Sequence, residues 1–259
     1  MKRKIFFYLT IIFLFFNFLQ ANEWKLSYKL DISIIITSLG LDLSANLFKR
    51  DINGLSQDKV GNLDKNDIFI LDRFAADLYD LNLKDASDYT VYANFLIPIG
   101  TSLFIDKENF FSDMIIYGEV MYLQSALVKW GKYLTKRNRP YTYNEEGKSR
   151  SQSREARFSF PSMHASTAFS AAVFASILYQ QKGGKNPTMF WIANLSLATA
   201  TGALRVASGN HFPTDVICGA IVGSAIGYLI PHLHKVQNEN QRISLLFAGN
   251  YIGVNIKFD

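Results

Sequence analysis

Five apolar segments between residues 93 and 233 constrain the fold of this 259-residue chain more than any other feature. Each is long enough for a helix of several turns, and each is rich in Ala, Gly or Ser, which allow neighbouring helices to approach closely. In chain order, they read ANFLIPIGTSLFI, MIIYGEVMYLQSALVKWGKYL, ASTAFSAAVFASILYQ, MFWIANLSLATATGALRVAS and DVICGAIVGSAIGYLIPHL. The pattern predicts an all-α fold, a bundle of about six helices.

Hydropathy and segment length together indicate whether this bundle lies in lipid or in water. The mean hydropathy of the chain is only +0.05, yet several segments approach the roughly 20 residues that a helix needs to span a bilayer. We therefore expect a bundle embedded in a membrane. In its last helix Gly219, Gly223 and Gly227 recur every fourth residue, which predicts a face that packs closely against a neighbouring helix.

The N-terminus has the layout of a secretory signal. A basic start is followed by an apolar run from Ile5 to Leu19 and then by Ala21. Because the run is shorter than a spanning helix, we predict cleavage after Ala21, with retention as an N-terminal anchor as the alternative. In either case the chain is exported to the periplasm or inserted in the inner membrane.

The sequence predicts four regions. Residues 1–21 are the signal peptide or anchor, 22–88 an N-terminal helix with a turn-rich linker, and 89–236 the helical core. Residues 237–259 form a C-terminal tail, in which apolar residues alternate on both sides of a Gly-Asn turn. That alternation predicts a short β-hairpin.

Counting spans constrains the topology. If the signal is cleaved, the mature N-terminus lies on the outer side of the membrane. Two spans, at 92–105 and 113–133, then return the chain to the outer side, provided that 32–48 lies in the membrane interface and does not cross. If the first segment is retained, 32–48 must cross as well. Both solutions place the loops 135–163 and 205–215 on the same outer side of the membrane.

The charge of the chain indicates which partners to expect. The net charge is +5 and the sequence pI is about 9.1, but there is no long basic run or regular basic stripe. We therefore expect a membrane surface or an anionic small substrate rather than nucleic acid. The sequence indicates no oligomeric state.

Three polar clusters interrupt the apolar segments. Singly, each has an ordinary structural interpretation, as cations at a helix end, a helix cap or first-turn residues. Together they lie on one predicted side of the membrane and can converge. Their chemically active residues are Lys132 and Arg139, then Ser162 and His164, then Arg205, His211 and Asp215.

These residue types suit phosphoryl transfer. Predicted helix N-termini near Ser162 and Pro213 would direct free backbone N–H groups at an anion, and one lysine with two arginines would neutralise phosphate oxygens. One histidine can attack phosphorus while the other protonates the leaving oxygen. Because the cations do what Mg²⁺ does elsewhere, we predict no metal and no cofactor in this site.

The clusters also resemble a known signature. K-x6-RP, PSxH and R-x5-H-x3-D, in this order, are similar to the three-part signature of the type 2 phosphatidic acid phosphatase (PAP2) family, shared by bacterial acid phosphatases and vanadium haloperoxidases. In this chain they run from Lys132 to Pro140, from Pro161 to His164 and from Arg205 to Asp215. The resemblance covers roughly residues 90–235 and implies a PAP2-type helical bundle with its site at one end.

The resemblance implies a role for each residue. His211 would be the nucleophile that forms a phosphohistidine, and Asp215 would orient it. His164 would be the general acid for the leaving group and would then activate water. The phosphate would be held by Lys132, Arg139, Ser162, the backbone N–H of Met163, and Arg205.

Two positions depart from the family pattern. Met163 stands where glycine is usual, which keeps the backbone N–H but adds bulk to the pocket. Leu204 stands where serine is usual, which removes one supporting hydrogen bond from Arg205. Neither change removes a group essential to the mechanism.

We therefore predict a metal-independent phosphatase that hydrolyses phosphate monoesters of a phospholipid or other lipid phosphate, with a small soluble ester also open. It would act in the inner membrane facing the periplasm, or in the periplasm. The alternatives are a vanadium-dependent haloperoxidase, a phosphotransferase or a non-enzymatic membrane scaffold of the same fold. The polar segment 141–160 is either a solvated loop or a lid that recognises a further phosphate or headgroup.

Overall fold

The computed structural model describes residues 24–235, together with the backbone of 243–248 and 251–256. The described residues contain seven α-helices, so the predicted all-α bundle is confirmed. The helices are α1 (Tyr28–Lys49), α2 (Gln57–Gly61), α3 (Leu81–Ile105), α4 (Phe110–Thr135), α5 (Met163–Gln181), α6 (Pro187–Ala207) and α7 (Pro213–Leu233). The predicted signal peptide, residues 1–21, lies outside the described residues and stays a prediction.

Helix α5 is the centre of the bundle. It packs against α3, α4, α6 and α7, and most of its residues are buried, many of them Ala or Ser. Helix α7 approaches it most closely, because a Cβ atom at Gly223 would lie 2.1 Å from the carbonyl oxygen of Ser166. The close contact that the glycine repeat predicted is therefore present, with Gly219 and Gly227 also facing the backbone of α5.

Local sequence signals determine where the site-bearing helices begin and end. Asp80 caps α3 by accepting the backbone N–H groups of Asn82 and Leu83, and Pro213 begins α7. Helix α4 is terminated by Lys136, which has a left-handed φ of 48°. That turn directs the following segment across the end of the bundle.

The linker and the loop after α4 cover this same end. Residues 65–67 and 73–77 form 3-10 turns, and Ala75 and Ala76 pack with Phe212 in a small buried cluster. The segment 141–160 also contains 3-10 turns and buries Tyr141 and Phe158. It is thus a folded cover of the bundle end.

Among the described helices, α1 and α7 are long and apolar enough to cross a membrane, judged by length and composition alone. Helices α3 and α4, where we had placed the spans 92–105 and 113–133, do not pass the same test. Both α1 and α7 expose large apolar side chains, such as Ile36 at 63% and Ile221 at 63%. These outward faces are suited to contact with lipid.

Two strands follow the bundle. Strand β1 (Ile243–Ala248) pairs antiparallel with β2 (Tyr251–Ile256), with Ile243 opposite Ile256 and Ala248 opposite Tyr251. They lie in the tail for which the sequence predicted a β-hairpin. At the other end of the described chain, Trp24 forms a bridge with Lys235.

Candidate active site

The structure brings every predicted site residue to one end of the bundle. Lys132 lies in the last turn of α4, and Arg139 follows in the loop. Ser162 and His164 lie at the start of α5, beside Met163. Arg205 lies in the last turn of α6, His211 lies in the connection to α7, and Asp215 lies in the first turn of α7.

The buried ring of His211 has a defined tautomer. Its Nε2 atom lies 3.3 Å from Nη1 of Arg139, and a guanidinium can only donate. Nε2 therefore presents its lone pair, and Nδ1 carries the proton. Nδ1 faces Oδ2 of Asp215 at 3.6 Å, which is longer than a hydrogen bond.

The protonation state of His211 follows from its surroundings. Burial lowers the pKa of His211 well below its ordinary value, and the positive charges of Arg139, Lys132 and Arg205 lower it further. The imidazole is therefore neutral at neutral pH. A neutral ring whose Nε2 carries no proton is the form that a nucleophile requires, once substrate draws the Arg139 donor away from that nitrogen.

The carboxylate of Asp215 is fully buried and saturated with donors. Oδ1 accepts from Nη1 of Arg137 at 2.6 Å, while Oδ2 accepts from Oγ of Ser159 at 2.5 Å and from the backbone N–H of Phe212 at 2.8 Å. These bonds hold the carboxylate beside His211. Asp215 is placed to stabilise an imidazolium once the ring becomes charged.

Arg137 links this carboxylate to a second one that the sequence analysis missed. Its Nη2 atom donates to Oδ2 of Asp72 at 2.7 Å, and Oδ1 of Asp72 accepts the backbone N–H of Thr214 at 3.0 Å. Arg137 lies within the first motif, between Lys132 and Pro140, so its charge was visible in the sequence. Asp72 lies in the linker, where no local signal distinguished it.

The N–H groups at the start of α7 are therefore already occupied. That of Phe212 binds Asp215 and that of Thr214 binds Asp72, while Pro213 has none. The prediction that this helix terminus is a free anion site is wrong, because two carboxylates of the chain itself fill it. Only the start of α5 keeps that role.

The start of α5 remains suited to an anion. Oγ of Ser162 accepts the backbone N–H of Ala165 at 3.4 Å, which leaves the hydroxyl proton free to donate. Met163 is the first residue of α5, so its backbone N–H has no partner within the helix. The backbone N–H of Ser162 itself donates to the Asp215 carbonyl at 2.9 Å, which holds the start of α5 next to α7.

His164 is held by a carboxylate outside the three motifs. Its Nε2 atom lies 2.8 Å from Oδ1 of Asp88, which also accepts from Nη1 of Arg205 at 3.2 Å. Asp88 belongs to α3, and its role was missed because the sequence alone does not show which face of α3 meets α5 and α6. Ser87, its neighbour, accepts from the same Arg205 Nη1 at 3.0 Å and supports the arginine in place of the family's serine.

Burial dominates the electrostatics of His164. It lowers the pKa of His164 to about 3, with the charge of Arg205 acting in the same direction and Asp88 opposing both. The ring is therefore neutral at neutral pH in the substrate-free site. A bound anion would raise this pKa, because it would offset the neighbouring cations.

Two buried cations have backbone carbonyls as their acceptors. Nζ of Lys132 donates to the carbonyl of Phe158 at 2.7 Å, and Arg139 donates to the carbonyls of Glu155 and Asn210. Within residues 24–235, no carboxylate oxygen lies within 4.0 Å of either cation. Burial, with the charge of Arg139, lowers the pKa of Lys132 well below its ordinary value. An anion bound beside both side chains would favour their charged forms, so the pair is suited to anion binding.

A further cation borders this site from the loop 141–160. The guanidinium of Arg150 lies 4.4 Å from the ring centroid of Tyr141, and its charge acts on both Arg139 and Arg205. Nη1 of Arg150 is buried and has no hydrogen-bond acceptor among the described residues. The loop thus carries a candidate contact for a second anionic group.

Fold and site together define a class: an all-α bundle whose end holds two imidazoles and several buried cations arranged for phosphoryl transfer. Residues 113–239 match the family model described as the PAP2 superfamily. The part of the chain that carries the three motifs therefore matches the PAP2 superfamily, as those motifs predicted. Asp72 and Asp88, like the C-terminal strands, lie outside the matched residues.

A curated protein and a solved structure are similar to this chain. A lipid A 1-phosphatase of Porphyromonas gingivalis is 34% identical over 109 residues, which are 42% of this chain and 21% of that protein. This chain thus spans about a fifth of the length of the curated relative it matches. The crystal structure of a transmembrane PAP2-type phosphatidylglycerolphosphate phosphatase from Bacillus subtilis aligns with a TM-score of 0.46 at 17% identity, over 82% of this chain and 98% of that one.

Proposed function

We propose that this protein is a phosphatase that hydrolyses phosphate monoesters of a phospholipid or another lipid phosphate through a phosphohistidine intermediate. One observation carries the proposal. Lys132 and Arg139 are buried without carboxylate partners within residues 24–235, next to a neutral His211 whose Nε2 lone pair faces Arg139. A phosphate held by these cations would lie beside that nitrogen.

In the first step Nε2 of His211 attacks phosphorus, and the bond from phosphorus to the ester oxygen breaks. The leaving oxygen takes a proton from His164, so the alcohol departs neutral. The phosphorylated His211 is cationic, and Asp215 stabilises it through the proton on Nδ1. The present distance of 3.6 Å between Nδ1 and Oδ2 must shorten for this bond, as catalytic hydrogen bonds often do when substrate binds.

The first step requires a protonated His164, although its pKa is about 3 in the substrate-free site. The phosphate brings negative charge next to the cations that lower this pKa, and Asp88 holds the ring at 2.8 Å. Both effects favour the imidazolium in the complex. In the second step, neutral His164 removes a proton from water, the water oxygen attacks phosphorus, and the phosphate leaves His211.

The mechanism proposed here uses no metal ion. The equatorial oxygens of the phosphate would be neutralised by Lys132, Arg139 and Arg205, and the N–H of Met163 and the hydroxyl of Ser162 would complete the cradle. Together they would supply the charge stabilisation that a metal provides in other phosphatases.

We propose a lipid phosphate as substrate for two reasons. The curated relative is named for its action on lipid A, and the outward faces of α1 and α7 expose large apolar side chains. The protein would then lie in the inner membrane, with the site open to the periplasm. The basic start and apolar run of residues 1–21 support export of the chain.

The test is phosphate release by the full-length protein purified in detergent. The substrates are lipid A, phosphatidic acid, phosphatidylglycerol phosphate, a polyprenyl pyrophosphate and a chromogenic phosphate ester, each assayed with and without a chelator. We expect His211→Asn to abolish release, vanadate to inhibit it, and the chelator to leave it unchanged. His232→Asn, a histidine near the other end of α7, is the matched control.

Near-normal release by His211→Asn would overturn the assignment of the nucleophile. Quenching the wild-type reaction and detecting an acid-labile phosphoryl group, absent in His211→Asn, tests the intermediate directly. Added alcohols that capture the phosphoryl group would identify a phosphotransferase. Bromide oxidation by peroxide after vanadate loading would identify a haloperoxidase.

A further inference from the structure

A second cluster of charged side chains lies in the other half of the bundle. His234, which follows α7, has its Nε2 atom 2.9 Å from Oδ1 of Asp31 in α1 and 3.3 Å from Oε2 of Glu119 in α4. Glu119 precedes Lys132 by 13 positions on α4, which is about 20 Å along the helix axis. The cluster is therefore separate from the phosphate site.

The carboxylate of Glu119 is buried without a hydrogen-bond donor. The residue is 4% exposed, and neither of its side-chain oxygens has a hydrogen-bond partner among the described residues. A buried carboxylate without compensation is strongly unfavourable. The Glu119 carboxylate thus calls for a proton or a cation between it and its neighbours.

The tautomer of His234 indicates what that species can be. Its Nδ1 atom lies 2.9 Å from the carbonyl oxygen of Ile230, which can only accept, so Nδ1 carries a proton. Nε2 faces two carboxylate oxygens, which also only accept, so it either carries a second proton or directs its lone pair at a cation between them. Metal-binding histidines have this arrangement, with the second ring nitrogen donating to a carbonyl or carboxylate.

We propose that Asp31, Glu119 and His234 bind a divalent transition-metal ion of the Zn²⁺ class. One ligand atom from each residue lies within 4.8 Å of the others. Tetrahedral Zn²⁺ with ligands at about 2.1 Å separates its ligand atoms by roughly 3.4 Å, close to the observed 2.9 and 3.3 Å. One imidazole nitrogen with two carboxylates is also a donor set that such ions accept.

The charge balance favours an ion over a proton on Nε2. Two carboxylates, a neutral imidazole and a divalent cation sum to zero, whereas an imidazolium beside two ionised carboxylates leaves one net negative charge and needs a further proton, on a carboxyl group, to reach zero. Apolar residues line this part of the bundle, including Trp24, Ile34 and Ile230. A neutral site is the less costly one to bury there.

The ion would join α1 to the rest of the bundle. Asp31 lies in the first turn of α1, while Glu119 and His234 belong to α4 and the end of α7. The backbone bond from Lys25 N to the His234 carbonyl, at 2.9 Å, draws the same two chain segments together. The role is therefore structural, and the hydrolytic chemistry does not depend on it.

The test uses the full-length protein purified in detergent without a histidine tag, stripped with a chelator and incubated with Zn²⁺. After gel filtration we expect about one Zn²⁺ per wild-type chain by elemental analysis. Glu119→Gln and His234→Gln should weaken Zn²⁺ binding at least tenfold, while His232→Gln should bind as the wild type does. Unchanged binding in both cluster variants, or none by the wild type, would overturn the proposal.

A measurement on the wild type alone covers the case in which the variants do not fold. Cobalt(II) bound to these three residues and one water should give the intense visible absorption of a four-coordinate ion, and X-ray absorption of the zinc form should indicate nitrogen and oxygen ligands without sulfur. A cobalt spectrum like that of the hydrated ion would overturn the proposal. Phosphate release measured on the same stripped sample reports on the hydrolytic site independently.

Discussion

Oδ1 of Asp88 lies 2.8 Å from Nε2 of His164, although the two residues are 76 positions apart in the chain. The same oxygen lies 3.2 Å from Nη1 of Arg205. One carboxylate of α3 therefore contacts both the proposed general acid and one of the proposed phosphate ligands. Together with Ser87, which also accepts from Arg205, Asp88 is the contact through which α3, which carries none of the three motifs, affects the site.

Asp88→Asn should move the pH profile of kcat. Asp88 raises the pKa of His164, and kcat falls as pH rises through that pKa in the substrate complex, because the proton donor is lost. Removing the carboxylate lowers the pKa of His164, so the pH at which kcat falls should shift to a lower value. At neutral pH, kcat should then be reduced by about 10²-fold. The measurement is kcat against pH with a lipid phosphate.

Two comparisons sharpen this test. Asp85 is an exposed neighbour that, like Asp88, pairs with Lys84. Asp85→Asn should leave the pH profile of kcat unchanged. An ester with an acidic phenol as leaving group needs little protonation, so Asp88→Asn should affect it less than a lipid phosphate. Equal reductions of kcat for both substrates, with no shift of the pH at which kcat falls, would show that Asp88 does not act through His164.

Arg137→Ala should destabilise the protein by about 3 kcal/mol, because it leaves the buried carboxylates of Asp72 and Asp215 without their shared cation. Arg137→Lys, which keeps the charge but not the two-pronged geometry, should lose less. The measurement is the free energy of unfolding in denaturant. Arg154→Ala, at an exposed arginine of the loop, is the control, and equal stabilities of the two alanine variants would contradict the prediction.

Gly223→Ala should destabilise the bundle by about 1–3 kcal/mol, because the new Cβ would lie 2.1 Å from the Ser166 carbonyl oxygen and force α5 and α7 apart. Gly118→Ala is the matched change within α4, where no atom lies within 4 Å of the new Cβ. It should stabilise by up to about 1 kcal/mol. Thermal unfolding of both variants tests whether the contact or the helix propensity dominates.

Arg150→Ala should reduce kcat/KM more for a substrate with a second anionic group than for a simple phosphate monoester. The buried Nη1 of Arg150 has no acceptor among residues 24–235 and its charge acts on Arg139 and Arg205. Lys148→Ala, which removes a cation that pairs with Glu145, is the control. Equal reductions of kcat/KM for both substrates would show that Arg150 does not bind the second anionic group.

Stability should fall with acidification below about pH 6.5. The folded state lowers the pKa of His164 to about 3 and lowers that of His211 as well, so the unfolded chain binds protons first as pH falls. His164→Asn should reduce this pH dependence between pH 6.5 and 4. The measurement is the free energy of unfolding across that range, and an unchanged slope in the variant would contradict the assigned pKa.

The three motifs could be predicted because each lies at the end of an apolar segment. Lys132 ends α4, His164 begins α5 and Arg205 ends α6, so spacing along the chain places them where helices begin or end. The helix-start signal at Pro213 was also correct. Its use as an anion site was not, because the occupancy of its N–H groups depends on Asp72, which is remote in sequence.

The sequence by itself determined the helical bundle, the family resemblance and the set of reactive groups, since these depend on local patterns of apolar residues and on spacing within single segments. Only the tertiary structure decided which carboxylates accompany those groups. Asp88 beside His164, Asp72 beside Arg137, and Asp31 with Glu119 beside His234 all join elements far apart in the chain. Such pairs depend on how helix faces pack, and a charge on a helix does not reveal in advance which neighbour it will meet.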